Sequence, residues 1–117
     1  MSGTKYDAGK APLDLLPYEA EEEIARVLAF GEKKYSAGNW AKGIGYRRLL
    51  AAARRHIGAF NSGVDKDEES GLSHIAHAAC CLMFLLYMEK KRPDLDDRWA
   101  KPTRGPEPGS IIPTRLK

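Results

Sequence analysis

Two histidines, His74 and His77, stand three residues apart in the apolar stretch SGLSHIAHAACCLMFLLYM, residues 70 to 88. At about 100° per residue, His74, His77, Cys81, Phe84 and Met88 share one stripe of a helix, so both rings point into the same space. Imidazoles at i and i+3 can reach one metal ion, or one can ligate while the other relays a proton. They can equally be core histidines hydrogen-bonded to backbone or acids. The acidic turn immediately before them, Asp65, Asp67, Glu68 and Glu69, weighs toward chemistry.

Two further sets of residues bear on that chemistry. The run Glu19, Glu21, Glu22, Glu23 lies at the start of a helical pattern, where acids complement the macrodipole. Glu23 projects between Val27 and Phe30 with Glu19 one turn away, and a carboxylate against a core needs a cation or hydrogen bonds. In the second pattern Arg47 and Arg54 lie along one edge and Arg48 and Arg55 along another, flanking an apolar stripe bordered by His56. Guanidinium rows of this kind can clamp a polyphosphate bidentately; solvated edge charges explain one of the two rows, and the other faces whatever the acids face. Asn39, Trp40 and Tyr35 offer an amide edge and aromatic faces of the sort that contact a base, although a loop Trp also serves to close a core. KYDAGK, with Lys5 and Lys10 around Gly9, lacks the GK[ST] ending of a P-loop. Together these are the parts of a metal-assisted attack on a polyphosphate, with Mg²⁺ or Mn²⁺ held by carboxylates; histidine ligands would favour Mn²⁺ or a related ion.

The elements that must position these residues follow from the spacing of apolar side chains. Residues 18 to 34 place Ala20, Ile24, Val27, Leu28 and Gly31 on one side, which predicts a first helix after Pro17. Residues 36 to 45 contain Gly38, Asn39, Gly43 and Gly45 and read as a loop. A second helix is predicted over 46 to 60, with Leu49, Leu50, Ala53, Ile57 and Phe60 inward. The third runs from 71 to 91 with Ser70 as its N-cap; it is apolar all round and must be covered on every side. Residues 1 to 17 form an N-terminal arm, 18 to 92 the helical domain, and 93 to 117 a Pro/Gly-rich tail that wanders or embraces a neighbouring subunit. No alternating strand pattern occurs. The fold expected is all-α, a small antiparallel helical bundle with short connections.

Composition narrows the function classes. A chain of 117 residues supports one domain with a modest core, for which assembly would bury more apolar surface. The formal net charge of +3 is too small to indicate a nucleic-acid polymer as partner. The apolar run falls short of the roughly 20 residues that span a bilayer, so no membrane partner is expected. The N-terminus has no signal-peptide core, and adjacent Cys80 and Cys81 do not readily pair, which suggests buried thiols in a reducing, cytoplasmic setting.

Several stretches, KYDAGKAPLDLLP, ARVLAFGEKKY followed by NW, RLLAAARRH and ESGLSHIAHAACCLMFLL, are familiar as a set. Over residues 5 to 88 they resemble the phage-type N-terminal domain of dATP/dGTP diphosphohydrolases, akin to the all-α MazG-like nucleotide pyrophosphohydrolases. The resemblance implies a helical bundle, homodimeric or homotetrameric, that cleaves a nucleoside triphosphate to monophosphate and pyrophosphate with a divalent metal. MazG-like enzymes carry an E-x-x-E pair, matched here by Glu19 and Glu22 with Glu23 adjacent, and a later E-x-x-D pair, where this chain has His74, Ile75, Ala76 and His77. Either the metal site is rebuilt with histidines and a preceding acid, or the domain binds nucleotides without hydrolysis. The first alternative implies a purine dNTP pyrophosphohydrolase of a phage-infected cell. In it Glu19, Glu22, Glu23, Glu69, His74 and His77 hold metal and His77 or an acid accepts the proton of the attacking water. Lys34 and Arg55 then bind phosphates, and Asn39 and Trp40 contact the base.

Overall fold

The computed structural model describes residues 9–35 and 38–100. Three α-helices dominate: α1, Tyr18–Lys34; α2, Tyr46–Asn61; and α3, His74–Lys91. Short 3-10 turns occupy Leu13–Leu15, Asn39–Lys42 and Pro93–Leu95, inside stretches expected to hold no regular element. Lys5, the rest of residues 1–8, and the prolines at 102, 106, 108 and 113 lie outside the described residues. Among the described residues there is no strand, only an isolated bridge between Lys66 and Ser73, and the fold is all-α as expected.

Each helix starts for a different reason. Glu19 and Glu21 in the first turn of α1 and Lys33 and Lys34 in its last complement the macrodipole, while the Pro17 carbonyl accepts from the amides of Ala20 and Glu21. Gly45 at the start of α2 has no side chain with which to cap it. Asp97, far away in sequence, supplies the cap: its Oδ1 accepts from the Arg47 amide at 2.9 Å. A Cβ on Gly45 would meet Asp97 Oδ2 at 2.9 Å, so the glycine makes room for that carboxylate.

The third helix begins at His74 and is capped by Ser73, three residues later than the sequence suggested. Ser73 Oγ accepts from the amides of Ile75 and Ala76 at 3.0 and 3.4 Å. Ser70 cannot cap, because its hydroxyl is engaged with the Leu72 amide and the His77 ring. Gly71, at φ +73°, turns the chain there, and the His74 amide donates to the Asp65 carbonyl at 2.9 Å.

α3 is the axis on which the other two helices pack. Val27 of α1 meets Ala76 and Cys80, whereas Tyr46 and Leu49 of α2 meet Met88, which is wholly buried. Phe84 joins both clusters. The start of α2 lies beside the end of α3, and Tyr46 Oη donates to the Met88 carbonyl at 3.2 Å. The end of α1 lies beside the start of α3, as Phe30 and His77 show by edge-on contact. Both helices therefore oppose α3 in direction, and the segment joining α1 to α2 crosses the bundle instead of forming a tight hairpin.

The expectation that α3 would be covered on every side meets a different outcome in the isolated chain. Ile75, Leu82, Met83, Leu86 and Tyr87 remain exposed, Leu86 at 60%. No helix among the described residues is long and apolar enough to cross a membrane.

Candidate functional site

The crossing segment roofs a partly open cavity of about 930 Å³. Its walls come from the C-terminal half of α1, the Asn39–Lys42 turn, one edge of α2, the acidic connection after α2, and the first half of α3. Of the residues singled out in the sequence, Lys34, Asn39, Trp40, Arg55, Glu69 and His77 line this one space. Arg48 joins Arg55, so one guanidinium row faces the cavity. In the other row Arg47 lies over the Trp99 ring, 3.7 Å from its centroid.

Glu19, Glu22 and Glu23 are not among the lining residues. Glu22 and Glu23 sit on the outer flank of α1 and approach Arg26 at 3.5 and 3.6 Å. An exposed carboxylate keeps its hydration, so Glu23 has no need of the cation that a position against the core would require.

Charge inside the cavity is arranged in two zones. Lys34 Nζ donates to Glu69 Oε2 at 2.7 Å, linking the end of α1 to the acidic connection, and that bond holds the ammonium above its ordinary pKa. Arg48 and Arg55 have no ion-pair partner among the described residues and present their donors to the open space. Trp40 is already committed on one side: it stacks on Phe84 with centroids 5.0 Å apart and meets Tyr87 edge-on. It both closes the core and borders the cavity.

His56 and His77 line the cavity, and behind them lies the buried His74, which is not a lining residue; sequence reasoning noted His56 only as the border of a stripe. His56 stacks on His77 with centroids 4.6 Å apart and planes 12° from parallel. Its Nδ1 lies 2.9 Å from His74 Nδ1. His77 Nε2 is 2.7 Å from Ser70 Oγ and 3.9 Å from Asp67 Oδ2. The only signal for His56 was its place on α2; its partnership with His74 arises from helix packing, which spacing along the chain does not reveal.

Burial lowers the pKa of His56, and the neighbouring His77 and His74 rings add to that effect. His77 is lowered as well, by burial first, with Asp67 opposing. Burial pushes Asp67 the other way, but the Ser70 amide and hydroxyl and the adjacent rings prevail and hold it below the ordinary carboxylate range. The Ser70 amide donates to Asp67 Oδ2 at 2.9 Å. Ser70 thus links the two groups, its amide holding the Asp67 carboxylate and its hydroxyl sharing a proton with His77 Nε2. A neutral ring, a hydroxyl and an ionised carboxylate in sequence can accept a proton and stabilise the resulting charge. Cys80 and Cys81 are free; burial pushes the Cys80 thiol up to about 12, which leaves it inert.

Comparison with known proteins follows the same direction. A family model described as "dATP/dGTP diphosphohydrolase, N-terminal" matches residues 1–98. A phage protein named "dATP/dGTP diphosphohydrolase", from Salmonella phage PMBT28, is 46% identical over 116 residues. That alignment takes in 97% of this chain but 40% of the relative, so the chain spans well under half of that protein's length. No solved structure matches the chain.

Proposed function

Because the chain belongs to the dATP/dGTP diphosphohydrolase N-terminal family, we propose that its cavity binds a purine deoxynucleoside triphosphate and hydrolyses it to the monophosphate and pyrophosphate. The observation that carries this reading is the Arg48 and Arg55 row, without an ion-pair partner among the described residues, lining one cavity with Lys34, Asp67 and His77. Guanidinium forks suit phosphate oxygens, and two of them on one cavity wall suit a charged chain under attack by water.

In this reading Arg48, Arg55 and Lys34 hold the phosphates, with Lys34 exchanging Glu69 for a phosphate oxygen. Asn39 and the free surface of Trp40 contact the base. His77, favoured in its neutral form by burial, accepts a proton from water, and Ser70 and Asp67 steady the ring. A divalent ion, Mg²⁺ or Mn²⁺, would when bound neutralise phosphate charge and lower the pKa of the attacking water. Glu69, which lines the cavity, is placed to hold such an ion, whereas Glu19, Glu22 and Glu23 lie outside the lining. The setting proposed is the host-cell cytoplasm, and the form a homodimer or homotetramer closed through the exposed face of α3.

A second reading, nucleotide capture without turnover, is favoured by the absence of an E-x-x-D pair on α3. Incubation with each dNTP and Mg²⁺ or Mn²⁺, followed by anion-exchange separation, distinguishes the two. We expect dGMP and dAMP to form well ahead of the pyrimidine monophosphates; binding of dGTP with no product from any dNTP would favour capture.

A further inference from the structure

We propose that His56, Asp67 and His74 form a resident site for a transition-metal ion of the Zn²⁺, Mn²⁺ or Co²⁺ class, distinct in chemistry from a carboxylate-bound Mg²⁺. The proposal goes beyond the hydrolase reading, since the ion is held whether or not a nucleotide is turned over.

Three separate elements converge there: α2 through His56, the connection after it through Asp67, and the first residue of α3 through His74. Their ligand atoms all lie within 4.8 Å of one another. Two imidazole Nδ1 atoms 2.9 Å apart must share something, either one proton or one ion. Nitrogen ligands on adjacent positions of an ion bonded at about 2.0–2.1 Å stand about 3 Å apart, so the rings already have a chelating separation. His74 is 8% exposed, which leaves little water to satisfy its ring.

The surroundings hold this arrangement before any ion arrives. The His74 amide is tied to the Asp65 carbonyl, and the bridge between Lys66 and Ser73 keeps Asp67 beside the start of α3. The Ser70 amide orients the Asp67 carboxylate, and stacking against His77 fixes the plane of the His56 ring. His77 Nε2 is engaged with Ser70, so Asp67 is the third ligand. Ligation needs deprotonated donors, and burial, which lowers the His56 pKa, together with the Ser70 amide, which lowers that of Asp67, acts in that direction. Two nitrogens and one oxygen favour a borderline ion over Mg²⁺, and three protein ligands leave a coordination position for water or a phosphate oxygen.

The test is titration of the chelator-stripped full chain with Co²⁺, followed by its visible absorption, on wild type and on His56→Gln, Asp67→Asn and Glu23→Gln. Wild type and Glu23→Gln should take up about one equivalent with a low-coordinate spectrum. His56→Gln and Asp67→Asn, checked for helicity by circular dichroism, should bind at least about tenfold more weakly. If His56→Gln does not fold, Asp67→Asn, which leaves both rings in place, carries the decision. Absence of Co²⁺ uptake by wild type, displacement of the ion by equimolar Mg²⁺, or wild-type affinity in Asp67→Asn overturns the proposal. Co²⁺ binding without dNTP turnover would sink the hydrolase reading and leave the site standing; turnover with Mg²⁺ and no Co²⁺ uptake would do the reverse.

Discussion

Arg55 and Arg48 line the cavity with no carboxylate partner among the described residues, whereas Glu22 and Glu23 have Arg26. On the proposed reading the triphosphate is the missing partner. Hydrogen bonds to charged groups contribute about 1.5–3 kcal/mol, so Arg55→Ala should lower kcat/KM for dGTP by about 10–100-fold. Arg55→Lys should fall between, having lost the fork but kept the charge. Arg54→Ala, one position along and away from the cavity lining, serves as the control and should stay within about twofold. Equal losses in Arg54→Ala and Arg55→Ala would remove the phosphate role. Cys80 gives a second residue-level expectation. With its pKa pushed up to about 12, the thiol is neutral throughout the ordinary range. A thiolate-dependent reagent should therefore modify Cys80 slowly in the folded protein at mildly alkaline pH and quickly after denaturation. Rapid native labelling, located by mass spectrometry, would contradict the burial described for α3.

At the scale of elements the helices depend on caps of different origin. Ser73→Ala removes a local cap and Asp97→Ala a distant one, and each should lower unfolding stability by about 1 kcal/mol in urea titrations. A negligible loss in Asp97→Ala would show that the segment after α3 does not hold the start of α2. These two caps also show what the sequence could and could not reveal. The spans of α1 and α2 were legible because their apolar residues recur at helical spacing and Pro17 and Gly45 punctuate their starts. The start of α3 was misplaced because Ser70 and Ser73 both precede an apolar run, and only the fold shows which hydroxyl faces the first-turn amides. Asp97 was invisible as a cap for the same reason that His56 was invisible as the partner of His74. Each joins α2 to a residue distant in sequence, Asp97 after the Pro93–Leu95 turn and His74 at the start of α3. The positions of Lys34, Asn39, Trp40, Arg55, Glu69 and His77 around one cavity were nearer to hand, since residue chemistry already grouped them. Glu19, Glu22 and Glu23 fall outside because α1 presents them on its outer flank, a rotation that a helical wheel alone leaves loose by tens of degrees.

At the largest scale, the two other helices among the described residues are too few to enclose α3, whose residues are apolar nearly all round. Ile75, Leu82, Met83, Leu86 and Tyr87 form the uncovered face, and a second copy of the chain is the occupant proposed for it. Leu86→Glu should then shift the protein toward monomer in sedimentation velocity while leaving its helicity intact. A wild-type chain that sediments as a monomer at all concentrations would contradict the assembly. The same central helix carries His77, Cys80, Cys81 and Phe84 into the cavity wall, so the bundle's axis and its proposed site are one element. The most direct test of that site is phosphorus NMR of dGTP incubated with the purified chain and Mg²⁺ or Mn²⁺. We predict that the triphosphate resonances give way to those of dGMP and pyrophosphate in equal amounts. Unchanged dGTP, or release of orthophosphate or tripolyphosphate in place of pyrophosphate, would contradict the central claim.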